Sequence, residues 1–152
     1  RLSPGKEVRL LNAYVIRCDE VIRDESGEVC ELRCHYDKDT LGGKKPADGR
    51  KVKGVIQWVS ASYAQEAQVR LYDRLFNVPN PSAQDDFLQA INPDSLRVLE
   101  GVKVEGALTE AEPEAVFQFS RIGYFCADRY DYRADQLVFN QIVPLRSVWD
   151  IS

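Results

Sequence analysis

A two-residue hydrophobic period runs through most of this chain and constrains its fold more than any other feature. Residues 28–36, EVCELRCHY, put Cys30, Leu32, Cys34 and Tyr36 on one face and Val29, Glu31, Arg33 and His35 on the other, as in a half-buried strand. Six further segments share this enrichment in aliphatic and aromatic residues, at 7–18, 53–59, 68–76, 95–105, 115–127 and 137–145. The sequence therefore predicts seven strands.

Turn and helix signals separate these strands. The polar residues 24–27 predict a hairpin turn between the first two strands, in which Gly27 takes a positive φ. Residues 79–91, PNPSAQDDFLQAI, predict one short helix with Ser82 as its cap, ended before Pro93. Many short strands around a single short helix favour an all-β fold made of barrels or a sandwich.

Composition limits the class of protein. The chain has 152 residues, of which 44% are hydrophobic and 29% charged, enough for one core or two small ones. It shows neither a transmembrane run nor a signal-peptide core, so we expect a cytoplasmic protein with no membrane partner. The cysteines form no C-x-x-C pair, and we expect reduced, mostly buried thiols at Cys18, Cys30, Cys34 and Cys126.

Positive charge is concentrated in one segment of a chain whose net charge is −4. Residues 1–70 have a net charge of +2 and residues 71–152 of −6. Phosphate binding depends on the local field rather than on the total charge. Residues 44–53 are therefore either a phosphate-contacting segment or a solvated loop, with Lys44, Lys45, Arg50, Lys51 and Lys53 against Asp48 alone.

Catalytic signals are weak. The sole histidine, His35, lies on the strand face opposite Cys30 and Cys34, which argues against a zinc site. No glycine-rich phosphate loop is present, and we expect neither a catalytic residue nor a metal site in this chain. Its aspartates are interpreted as helix-start charge at Asp85 and Asp86 and as a polar loop at Asp128, Asp131 and Asp135.

A recognition surface is the better expectation, because β-barrel faces bind single-stranded nucleic acid with cations, stacking aromatics and edge-reading polar groups. Gln118 and Arg121 would lie on opposite faces of a regular strand unless the chain bends near Gly123. Candidates for base stacking, each also a candidate for the core, are Tyr63, Tyr72, Tyr124, Tyr130 and Tyr132.

Seven blocks of the chain resemble one family over nearly its whole length. The sequence is similar to the C-terminal anticodon-binding region of bacterial glutaminyl-tRNA synthetases, with the glutamyl-tRNA synthetases of archaeal and eukaryotic type as the alternative. The blocks are EVRLLNAYVI, YDKDTL, PADGRKVKGVIQWVS, VRLYDRLFNVPNP, DDFLQAINPDSL, FQFSRIGYFCAD and VFNQIVPLR.

The resemblance implies two β-barrels that clamp the anticodon loop of tRNA(Gln). Residues 1–74 would form the distal barrel and residues 75–152 the C-terminal part of the proximal barrel. The ATP motifs of the family are absent from this sequence. The resemblance therefore implies no cofactor here, with ATP and Mg²⁺ belonging to a catalytic domain of the same parent polypeptide. A free-standing RNA-binding module and a protein-interaction domain are further alternatives.

Individual site residues follow from the same resemblance. Arg1 matches an arginine that contacts the third anticodon base, and Arg9 one that contacts the first base or its phosphate. Asn12 is a weaker candidate beside Arg9, and Leu11 replaces a second family arginine. Gln118 and Arg121 match residues of the middle-base pocket. For the segment GRKVKG, a backbone-binding or loop-ordering role is expected.

Overall fold

Most of the regular structure in the described part of this protein is β-sheet, and the rest is short 3₁₀ turns, which confirms the predicted all-β class. The computed structural model describes residues 2–145. The nine strands in this range are β1 (Glu7–Leu10), β2 (Val15–Arg23), β3 (Val29–Asp37), β4 (Val55–Ile56), β5 (Gln65–Tyr72), β6 (Leu96–Val104), β7 (Val116–Phe119), β8 (Gly123–Ala127) and β9 (Leu137–Pro144).

Each of the seven predicted segments contains a strand, and two of them contain two strands separated by a tight turn. Asn12 takes a φ of 58° between β1 and β2, and Arg121 takes a φ of 64° between β7 and β8. Neither turn is visible in the hydrophobic periodicity, because apolar residues continue through each turn.

The predicted single helix is instead two 3₁₀ turns, and Ser82 is not its cap. Gln84 and Asp86 adopt extended backbone conformations between the turns, which prevents one continuous helix. Asp86 caps the second turn by accepting a hydrogen bond from the Leu88 N–H. The 3₁₀ segments of the described chain are Lys38–Gly43, which is interrupted at Leu41 and Gly42, Pro81–Ala83, Phe87–Ala90 and Gly106–Glu110.

The chain divides into two compact units, and the first ends at Trp58. Its sheet has the order β3-β2-β1-β4, in which β1 and β4 are parallel. The predicted hairpin is confirmed as β2 and β3. The Asp24 carboxylate accepts hydrogen bonds from Ser26 and Glu28, and Gly27 has a φ of 84°.

The second unit, which starts at Val59, contains a five-stranded sheet of order β6-β5-β9-β8-β7. The last strand in sequence, β9, lies between β5 and β8 and is parallel to β5. One face of the sheet builds the core, where the buried Phe139 ring contacts Phe117, Phe119 and Tyr132. The opposite face holds the polar side chains described below.

The units divide at residue 58 rather than near residue 74, where the resemblance set the boundary between barrels. The reason is β5, which pairs with β6 and β9 of the second sheet. Among residues 2–145, hydrogen bonds close neither sheet into a ring, since β3 and β4 end the first sheet and β6 and β7 end the second. The barrel assignment stays a prediction.

Candidate nucleic-acid interface

Arg9 lies on β1 beside the β1–β2 turn and ties three backbone segments together. Its guanidinium donates to the carbonyl oxygens of Thr40 at 2.9 Å, Lys44 at 2.6 Å and Ala13 at 3.4 Å. Hydrogen bonds from a charged donor are stronger than neutral ones. Arg9 therefore fixes the course of residues 40–44 beside the turn, and its predicted contact with an anticodon base stays a prediction.

Thr40 anchors the same segment from the other side. Its side chain is fully buried, and its hydroxyl accepts a hydrogen bond from the Val15 N–H at 2.8 Å while donating to the Asp37 carbonyl at 2.5 Å. Buried hydroxyls need such partners. Residues 40–44, which lead into the basic segment, are thus held by β1 through Arg9 and by β2 through Thr40.

Asn12 projects from the tip of the β1–β2 turn. Its left-handed backbone conformation is one that asparagine tolerates better than most residues, and it is exposed to solvent. Asn12, three residues after Arg9, is therefore accessible on this turn. Arg1, the third candidate of this region, lies outside the described residues.

Arg50 differs from the lysines around it. Its guanidinium pairs with Glu7 at 2.9 Å, Asp37 at 2.8 Å and Asp48 at 2.8 Å. The Glu7 hydrogen bond, followed by those of Asp48 and Asp37, raises the pKa of Arg50. The three ion pairs connect the loop to β1 and β3 and largely neutralise the charge of Arg50 within the unit. The backbone-binding or loop-ordering role of GRKVKG stays a prediction.

The four lysines of the basic segment keep their charges exposed. All lie at the surface, and within the described part of the chain none forms an ion pair: Lys44, Lys45, Lys51 and Lys53. A solvated lysine carries its positive field into the surrounding water over roughly 8–10 Å. These lysines, more than Arg50, can attract a phosphate backbone.

Gln118 lies on β7 in the second unit and faces solvent. Its direct partner across the antiparallel pair is Tyr124 on β8, a residue that is 39% exposed. Side chains directly opposite one another on a sheet face are neighbours. A flat ring and an amide with donor and acceptor groups therefore stand side by side, which suits a nucleotide base that stacks on one and hydrogen-bonds to the other.

Arg121 occupies the turn that follows Gln118. The strand ends at Phe119, so the alternation expected for a regular strand does not extend to Arg121, which is exposed in a left-handed conformation. The bend thus falls at Arg121 itself. Gly123 has another role, because a Cβ there would lie 2.6 Å from the Val143 carbonyl oxygen of β9.

A hydrogen-bonded row crosses the same face of the second sheet. Tyr72 donates its hydroxyl proton to Asn140, whose amide donates to Asp128 at 2.6 Å. Arg70 pairs with Asp128 at 3.2 Å and with Asp131 at 2.6 Å. The predicted polar loop at 128–135 is therefore fastened to the sheet.

Asp128 is expected to make the stability of the second unit pH-dependent. Burial alone would raise the pKa of Asp128, but the Asn140 amide, the backbone N–H groups of Asp131 and Tyr130, and the Arg70 charge together lower it. A carboxyl whose pKa is lowered on folding stabilises the protein above its unfolded pKa of about 3.9, and this contribution is lost as the pH falls through the folded value.

The measurement for this expectation is urea unfolding between pH 6 and pH 2 for the wild type and for Asp128→Asn. The wild type should lose unfolding free energy below about pH 4, and Asp128→Asn should show a shallower loss. Asp135→Asn, a change at an exposed aspartate of the same loop, should leave the pH profile unchanged. Equal slopes for the wild type and Asp128→Asn would contradict the assignment.

The structure supports some of the expectations for the tyrosines and cysteines and contradicts others. Tyr63 and Tyr130 are highly exposed and Tyr72 is half exposed, so all three can stack on a base, but Tyr132 is buried in the core. The expectation of mostly buried thiols is wrong for Cys30 and Cys34, which are exposed. Both lie on β3, whose residues Val29–Tyr36 are all exposed.

Across residues 2–145, no three His, Cys, Asp or Glu side chains are placed to hold a metal ion. In the same range, no helix has the length and hydropathy to cross a bilayer.

Comparison with known proteins assigns the chain to a family. Two family models described as the anticodon-binding domain of class I tRNA synthetases (E and Q) match residues 1–37 and 55–128, together more than half of the sequence. The chain belongs to this family. The predicted resemblance is thereby confirmed.

The similar proteins come from the glutaminyl branch. The chain is 58% identical over 149 residues to a glutamine–tRNA ligase of Pectobacterium atrosepticum and 59% identical over 149 residues to that of Aliivibrio fischeri. A third, from Yersinia enterocolitica, is 58% identical. Each match covers 98% of this chain and 26–27% of the relative, so the chain spans about a quarter of their length.

Two functional features of this anticodon-binding domain escaped the sequence reasoning. Thr40 carried no signal, because a lone threonine in a polar loop does not reveal that its hydroxyl bridges β2 and the loop. Tyr124 was one of several tyrosines, and only the pairing of β7 with β8 puts it opposite Gln118. A hairpin prediction for 115–127 would have supplied that pairing.

Proposed function

We propose that this domain recognises the anticodon loop of tRNA(Gln), as part of a polypeptide that joins glutamine to that tRNA at the expense of ATP. Three similar proteins from different organisms are named glutamine–tRNA ligase and match 98% of the chain at 58–59% identity. The observation that carries the proposal within the structure is the exposed pair of Gln118 and Tyr124. This pair offers an edge-reading group and a stacking ring at one place on a β-sheet.

The proposed division of labour separates affinity from specificity. The four exposed lysines of the basic segment attract the phosphate backbone, which sets a salt-dependent affinity for any tRNA. Gln118 and Arg121 read the middle anticodon base, since base edges and not phosphates carry sequence information. Arg9 and Asn12 contribute at the first base, with Arg9 also holding the lysine-bearing segment.

The chemistry belongs to the rest of the polypeptide in this proposal. ATP with Mg²⁺ would bind a catalytic domain that precedes these residues, and this domain would supply tRNA selection alone. The expected place of action is the cytoplasm, where translation uses the product.

The test is a binding experiment with tRNA(Gln) and with the same tRNA carrying a changed middle anticodon base. Replacing Lys44, Lys45, Lys51 and Lys53 together by Ala should weaken binding of both tRNAs and lower the slope of log K against log salt, because fewer counterions are released. Gln118→Ala should instead reduce the preference between the two tRNAs by about 5-fold or more, since a good base contact discriminates by roughly 1–3 kcal/mol.

Gln65→Ala is the matched control, because Gln65 is an exposed glutamine at the start of β5 in the same sheet. It should change neither affinity nor preference. The proposal fails if Gln118→Ala and the lysine variant both weaken binding without altering base preference. Equal binding of tRNA(Gln) and an unrelated tRNA by the wild type would favour an RNA-binding module without anticodon specificity.

A further inference from the structure

Two cysteines stand directly opposite one another in the first sheet. Cys18 of β2 and Cys34 of β3 are register partners in the antiparallel hairpin. Cys18 is fully buried, whereas Cys34 is exposed. The proposed recognition of tRNA uses neither thiol, and both are free.

The hydrogen bonding of Cys18 defines the geometry of this pair. The backbone carbonyl of Cys18 accepts a hydrogen bond from the Gly5 N–H at 2.8 Å, and its N–H donates to the Lys6 carbonyl at 3.2 Å. Both groups therefore point away from β3, and Cys18 and Cys34 form a non-hydrogen-bonded pair. Facing Cα atoms in such pairs are about 4.5 Å apart, within the range of roughly 4.4–6.8 Å that a disulfide spans.

The neighbouring contacts agree with this arrangement. Burial raises the pKa of the Cys34 thiol, and the adjacent Cys18 thiol raises it further by its charge and a hydrogen bond. The register places both side chains on the same face of the hairpin, where the Cys18 thiol donates to the Glu20 carbonyl at 3.7 Å and the Cys34 thiol to the Leu32 carbonyl at 3.9 Å. Asp19 leaves the regular pairing directly after Cys18, and its carboxylate accepts a hydrogen bond from the His35 N–H at 3.1 Å, which holds the two strands together beside the thiols.

We propose that Cys18 and Cys34 form a site of reversible oxidation, at which a peroxide converts the two thiols into a disulfide across the β2–β3 hairpin. The accessible Cys34 reacts first: its thiolate attacks a peroxide oxygen, the O–O bond breaks, and a sulfenic acid and water form. The Cys18 sulfur then attacks the Cys34 sulfur, loses its proton and displaces the hydroxyl group as water. Two thiols thus give up two electrons, and one hydrogen peroxide becomes two waters.

Cys30 provides a built-in comparison. It lies on the same strand and is also exposed, and its thiol donates to a backbone carbonyl as those of Cys18 and Cys34 do, but it has no cysteine as its register partner. If exposure alone decided the outcome, Cys30 and Cys34 would be oxidised alike. Because only Cys34 has a cysteine as its register partner, we expect the disulfide to join Cys18 to Cys34 and not to Cys30.

The experiment treats the chain with hydrogen peroxide and maps its peptides by mass spectrometry without reduction. We expect a peptide pair linked through Cys18 and Cys34, two hydrogens lighter than the sum of the reduced peptides, which dithiothreitol separates. Cys30→Ser should keep this linkage, and Cys34→Ser should abolish it. Both variants change exposed residues, so folding of each is expected and is checked by circular dichroism.

Other products would overturn the proposal. These are Cys34 linked to Cys30, Cys34 linked to a second chain, or Cys34 carried to a sulfinic acid with Cys18 still reduced. Cys18 and Cys34 that both stay reduced in peroxide would overturn it as well.

Discussion

Replacing Gly123 by Ala should destabilise the second unit by about 2–3 kcal/mol, the upper part of the range for overpacking a well-packed site. An added Cβ would lie 2.6 Å from the Val143 carbonyl oxygen and 3.1 Å from the Pro144 Cα. Both atoms belong to the backbone of β9, so no side-chain rotation relieves the contact. The measurement is the free energy of unfolding in urea.

Gly101→Ala is the matched control for this change. Gly101 has a φ of 65°, and a Cβ added there meets nothing within 4 Å. Its cost comes from backbone conformation alone, about 1 kcal/mol. Gly123→Ala should therefore cost at least twice as much. Equal costs would mean that β8 and β9 separate readily at this point.

Replacing Arg9 by Gln should cost about 2–3 kcal/mol of unfolding free energy, because charge-assisted hydrogen bonds to three carbonyl oxygens are lost. Residues 40–44 should also become more susceptible to proteolysis, since their connection to β1 is removed. Urea unfolding and limited proteolysis measure the two effects. Arg97→Gln, at an exposed arginine of β6, should alter neither.

The same variant tests how Arg9 contributes to tRNA binding. An anchoring role predicts that Arg9→Gln weakens binding together with the loss of stability, and that Arg9→Lys recovers only part of both, since lysine lacks the planar fork of donors. A fall in tRNA affinity at unchanged stability would show that Arg9 acts by touching the nucleotide alone.

The class of fold could be predicted from the sequence because a strand with one buried face has apolar side chains at alternate positions. The β2–β3 hairpin followed from a polar turn with Gly27. The turns at Asn12 and Arg121 could not be predicted, because apolar residues continue on both sides of each. The residues near Asp86 have the composition of a helix start. They form two 3₁₀ turns instead of one helix because the backbone between the turns is extended, and composition does not reveal this.

The candidate site was predictable in part. The resemblance identified Gln118 and Arg121, but their geometry depends on a turn and on Tyr124 from the next strand. The basic segment was visible as charge, whereas the neutralisation of Arg50 was not, because two of its three partners, Glu7 and Asp37, come from other strands. Counting charges within a short stretch of sequence cannot reveal ion pairs with residues that are distant in the chain.

The central position of β9 has a consequence for how the second unit is made. As the chain leaves the ribosome, β5 with β6 and then β7 with β8 can each pair as a local hairpin. Among the described strands only β9 neighbours both pairs, and it supplies Phe139, which is fully buried in the core. The nascent unit therefore remains two unconnected strand pairs until residues 137–144 have been synthesised, and its cooperative folding must wait for this strand.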